Sequence, residues 1–84
     1  MGIKMIVFMK ELLPRLQRMD HLIRTKATGR PSELAYKIGI SERSIYDYLK
    51  LMRQMGAPIK FSHQRRSYYY EPAGSFRIGF NIDN

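Results

Sequence analysis

Arg65 and Arg66 stand side by side between two short strand-like runs, and guanidinium forks at a loop tip match the oxygens of a phosphate group. The chemistry this offers is anion binding rather than bond making. His21 and His63 lie far apart in the chain, with no carboxylate at a spacing that suggests a triad or a metal site, no cysteine and no glycine-rich phosphate loop. No enzymatic activity, cofactor or metal is therefore expected. Lys and Arg number 15 against 7 Asp and Glu, a net charge of +8, which points toward a polyanionic partner. The plainer reading of the same charge, a soluble basic surface and nothing more, stays open.

The elements that must hold these residues are marked by apolar spacing and by turn residues. Leu12, Leu16, Met19, Leu22 and Ile23 recur at three- and four-residue intervals and predict a first helix. Arg15, Arg18, Asp20 and Arg24 are expected to face outward from it. Pro14 fits best in its opening turn, a kinked helix starting nearer Met9 being the alternative. After the break at Thr25 to Gly29, the stretch from Arg30 to Leu49 reads as two short helices and a tight turn. Pro31 suits the first helical position, Gly39 a left-handed C-terminus, and Ser41 the cap of the next helix. Leu34, Ala35, Ile38, Ile40, Ile45 and Leu49 fall where two crossing helices touch, which is the layout of a helix-turn-helix. Its second helix, from about Glu42 to Met55, carries Ile45, Tyr48, Leu49 and Met52 inward and Arg43, Tyr46, Asp47, Lys50, Arg53 and Gln54 outward. Gly56 and Pro58 end it. Ile59 to Ser62 and Ser67 to Tyr70 then predict a β-hairpin with a basic tip at His63 to Arg66, with Tyr68 and Tyr70 on the core face. A hairpin in that position is a wing.

Phe76, Ile78, Phe80 and Ile82 alternate with Arg77, Gly79 and Asn81, which calls for a half-buried C-terminal strand. Its four large apolar residues need cover from this domain, from the apolar N-terminal segment or from a second copy of the chain, and the last is the expected source, hence a homodimer; the competing account folds the strand back on its own chain. At the other end, the apolar run from Met5 to Met9 is too short for a membrane span and lacks a small-residue cleavage site, so a cytoplasmic location is expected. Met1, Met5 and Met9 leave the start of the domain open. The 84 residues, 44% of them hydrophobic, suit one small domain. The expected fold is mostly α with a small β-hairpin. It is laid out as an extension over 1–11, a winged helix-turn-helix over 12–72, and a strand or tail over 73–84.

The residues Leu34-Ala35, Gly39-Ile40-Ser41, Arg43-Ser44-Ile45-Tyr46, Leu49 and Gly56-Ala57-Pro58-Ile59, followed by a short hairpin and SYYYEP, carry a resemblance. Over roughly 16–72 the chain resembles the winged helix-turn-helix domain that opens bacterial regulators of the DeoR-like and WYL-domain type. That resemblance implies a recognition helix after Ser41, with Arg43, Ser44 and Tyr46 in its first turns near duplex DNA. It also implies a wing at His63 to Arg66 lying along the backbone. With Lys50, these make up a candidate DNA-contact set of Ser41, Arg43, Ser44, Tyr46, Lys50, His63, Arg65 and Arg66. The function so implied is sequence-specific transcriptional regulation, without an evident small-molecule effector, since the chain ends before a sensor domain.

The chain departs from the family pattern at Asp47-Tyr48, where the family commonly shows Arg-Asp, and Glu42 adds a second acid near the helix start. An acid facing phosphate is repelled. Glu42 has a structural use at a helix N-terminus, and Asp47 one as partner to Lys50 or Arg43 a turn away. The alternative reading is a winged-helix module for protein interaction or assembly, which such acids would suit better.

Overall fold

The computed structural model describes residues 2–77. Three helices come first, α1 (Gly2–Arg24), α2 (Pro31–Ile38) and α3 (Glu42–Gln54). The strands β1 (Ile59–Ser62) and β2 (Ser67–Tyr70) follow as an antiparallel hairpin, with Ile59 opposite Tyr70 and Ser62 opposite Ser67. The strand bounds and the four-residue turn agree with the alternation in the sequence. A mostly helical chain closed by a small hairpin is compatible with a winged-helix arrangement.

α1 differs from its expectation in two ways. It begins at Gly2, not near Leu12, and runs through Pro14 instead of opening on it. Proline in a helix interior forfeits one backbone hydrogen bond, but the surrounding Met, Lys, Glu and Leu residues are strong helix formers and continue the helix on both sides. The second difference is Asp20, expected outside and found buried, with 6% of its surface exposed. Leu16, Met19 and Ile23 define the buried stripe of α1, and position 20 is four residues after Leu16 and three before Ile23, so it lies on that same face. A carboxylate there must be fully hydrogen-bonded, and it is. Arg24 Nε donates to Oδ2 at 2.9 Å, while the Tyr70 hydroxyl and the Phe76 backbone N–H donate to Oδ1 at 2.9 and 2.8 Å.

α2 and α3 form as their punctuation dictates. Pro31 opens α2, and the Glu33 carboxylate reaches back to accept the Arg30 N–H at 3.1 Å. That return path crowds Gly29 (φ +72), where an added Cβ would meet Glu33 Cβ at 2.8 Å. Gly39 (φ 84) ends α2, its N–H donating to Ala35 O at 2.8 Å. Two residues later Ser41 caps α3 by accepting the Ser44 N–H at 3.1 Å. Leu34, Ala35, Ile45, Leu49 and Met52 close the α2–α3 contact over Leu16, Met19 and Ile23, and Ile59, Tyr68 and Tyr70 complete the core from the hairpin. Each such side chain contributes about 1.5–3 kcal/mol on full burial.

The connection between α1 and α2 is tied to the hairpin by buried hydroxyls. The Thr28 N–H donates to Ser67 Oγ at 3.0 Å, and the Tyr68 N–H donates to Thr28 Oγ1 at 2.8 Å. Lys37 Nζ pins the same loop to α2 by donating to Ala27 O at 2.7 Å. After β2 the chain folds back on the core, with Phe76 half-buried against it and no strand over residues 71–77. The remainder of the expected C-terminal strand, Ile78 to Ile82, lies outside the described residues. No helix among the described residues is long and apolar enough to cross a membrane.

Candidate nucleic-acid interface

The cations of this chain divide by what they do. Arg15 donates to the Tyr48 hydroxyl at 3.2 Å and so ties α1 to α3. Arg18 Nε donates to Lys37 O at 3.2 Å, Arg24 holds Asp20, and Arg53 donates to Ile59 O at 3.3 Å from both Nε and Nη2. Lys60 pairs with Glu71 at 3.6 Å. These groups are spent on the fold. By contrast, the charged groups of Arg43, Lys50, Arg65 and Arg66 are exposed and have no hydrogen bond or ion pair among the described residues.

Those unpaired cations lie on two elements. α3 turns Arg43, Tyr46, Asp47 and Lys50 to solvent because Ile45, Leu49 and Met52 take the inner face. Tyr46 is 52% exposed, a large aromatic surface in the middle of that face. The hairpin turn carries His63, Gln64, Arg65 and Arg66, all exposed. It is held by the Arg65 N–H donating to Ser62 Oγ at 3.2 Å and by the edge of the His63 ring against Phe61 at 5.2 Å. Arg66 has φ 53, the left-handed region that glycine or asparagine occupies more cheaply. α3 and the hairpin are joined where Arg53 donates to Ile59 O. The Tyr68 hydroxyl has its pKa pushed up mainly by partial loss of solvent, with smaller contributions from Tyr46 and Glu42 that also raise it, while Arg53 opposes them.

No family model, curated protein or solved structure matches this chain. The site therefore rests on its own geometry.

Ser41 and Ser44 are committed to each other. Ser41 Oγ caps α3 and donates to Ser44 Oγ at 3.0 Å, so both are first of all part of the turn. Asp47 forms no ion pair with Lys50 or Arg43, contrary to its expected structural use, and stands exposed between them. Glu42 accepts a long hydrogen bond from the Tyr46 hydroxyl, one helical turn away, at 3.5 Å. Arg53, expected as plain solvated surface, instead ties the end of α3 to β1. Lys26 was not anticipated as a site residue. It follows α1 with φ 56 and sets its ammonium 6.0 Å from the centre of the Tyr69 ring, beside the hairpin. Its signal in the sequence is a lysine at the end of a helical pattern, where glycine is the usual residue.

Proposed function

We propose that this chain is a winged helix-turn-helix protein of the DeoR-like, WYL-domain-associated type that binds duplex DNA to regulate transcription. α3 is the helix that enters the major groove, with Arg43 and Tyr46 at base edges and Lys50 near the backbone. The hairpin is the wing, and Arg65 and Arg66 contact phosphates without reading sequence. The observation that carries this reading is the division of the cations. Arg15, Arg18 and Arg24 on α1 and Arg53 at the C-terminal end of α3 are bound internally, while Arg43 and Lys50 on the outer face of α3 and Arg65 and Arg66 on the turn have no partner among the described residues. A second support is Arg66. A bulky residue held at positive φ costs about 1 kcal/mol relative to glycine, and a charged side chain needed at that point offsets the cost.

Fluorescence anisotropy with random duplexes over a salt series is the test. Neutralising roughly five phosphates gives a slope of log affinity against log salt near −4 to −5. No binding at low salt would defeat the proposal.

The unpaired Asp47, in the middle of the same face, favours a second reading as a protein-interaction module. The two readings part on one substitution. Asp47→Asn removes a charge that repels phosphate and tightens duplex binding several-fold if α3 faces DNA. If α3 faces a basic protein surface, the same change leaves DNA affinity unmoved.

A further inference from the structure

We infer that the open hollow between the end of α1 and the hairpin is a seat for one phosphodiester group of the nucleic-acid backbone, with Lys26 as its anchor. The inference rests on the DNA-binding reading and adds a contact outside α3 and the wing tip. The hollow measures about 80 Å³ and is lined by Lys26, Ser62, Arg65, Ser67 and Tyr69. Its lining brings two cations and an aromatic ring together without a carboxylate, beside Ser62 and Ser67, whose hydroxyls are engaged with the Arg65 N–H and with Thr28 and Tyr68.

The backbone supplies an independent argument. Lys26 and Arg66 are the non-glycine residues with positive φ among the described residues, and Lys26 lines this hollow. Lys26 sits at the left-handed position that ends α1, its N–H donating to Ile23 O at 3.1 Å and the Ala27 N–H to Leu22 O at 2.9 Å. Glycine fills that position without strain. A lysine there gives up backbone comfort for an ammonium group. The ammonium rests over the Tyr69 ring, whose hydroxyl is engaged with Glu71 at 3.1 Å, so the ring face steers the ammonium without using its N–H donors. The Thr28–Ser67 hydrogen bonds fix the loop against β2 and so bring Lys26 and Arg65, from separate segments, to the lining of one concavity. Two cations from separate segments converging on a small polar hollow are what a single phosphate requires.

Lys26→Gly separates this role from a structural one, because glycine relaxes the backbone while deleting the amine; Lys26→Arg keeps the charge. The expected result is that Lys26→Gly melts no lower than the parent protein, binds random duplex several-fold more weakly, and has a salt slope shallower by about 0.9. Lys26→Arg keeps the parent slope. Equal affinity and slope in Lys26→Gly would overturn the inference and leave the DNA-binding proposal standing. Weaker binding in both variants together with lower melting temperatures would also overturn it, by assigning Lys26 to the fold. If the parent protein binds no duplex, the diester assignment falls along with the proposal it rests on. An NMR titration with inorganic phosphate then tells whether the hollow takes free phosphate instead, through shifts at the Lys26, Ser67 and Tyr69 amides.

Discussion

Asp20 accepts hydrogen bonds from three segments of the chain, α1 itself, β2 and the stretch after β2, and each donor depends on its charge. The Tyr70 hydroxyl is the most buried of these donors. Loss of solvent, and after it the bond to Asp20, pushes the Tyr70 pKa above the ordinary phenol value near 10. Because the folded value is raised, the folded protein holds this proton longer than the unfolded chain does. The stabilisation is therefore complete below about pH 10 and is lost progressively as pH rises beyond it. Urea denaturation across the alkaline range is expected to show stability falling above about pH 10, and Tyr70→Phe to flatten that fall while lowering stability at neutral pH. An alkaline limb of equal steepness in both proteins would remove Tyr70 as its source.

At the scale of elements, α3 and the hairpin present cations in two different settings, and they should fail differently. The hairpin turn carries Arg65 and Arg66 at a free tip, so replacing both with alanine is expected to weaken all duplexes about equally. Arg43, in the first turn of α3 and held by a helix whose inner face is packed by Ile45, Leu49 and Met52, is in a position to read a base edge. Replacing it should relax preference at particular base pairs by about 1–3 kcal/mol, the range for a bidentate guanine contact. Parallel selections on the two mutants decide the matter. Unchanged sequence preference in both would take Arg43 out of base reading.

For the whole molecule, the open quantity is how many copies act together. The expectation of a homodimer comes from the alternation of Phe76, Ile78, Phe80 and Ile82, and Phe76 already packs on its own chain's core. Ile78, Phe80 and Ile82, on which the expectation otherwise rests, lie outside the described residues. Sedimentation equilibrium is expected to give a dimer for the parent chain and a folded monomer for Phe80→Asp, with DNA half-sites about one helical turn apart. A parent chain that stays monomeric at high micromolar concentration would refute the dimer. Much of the described architecture was already legible in the residues. Pro31, Gly39, Ser41 and Gly56 act on their own few neighbours, and period-2 alternation set the hairpin register, because capping, left-handed turns and strand pairing are short-range effects. The basic, exposed composition of α3 and the turn was equally plain from the apolar stripe behind it. Tertiary structure alone decided which cations are used up and which are left over. Arg15 and Arg18 find partners far along the chain, as Asp20 does in Tyr70 and Phe76, Arg53 finds its own across the turn into β1, and Lys26 meets the hairpin only because Thr28 and Ser67 bring the two together. Such contacts depend on where separate elements come to rest against one core, which local spacing does not encode.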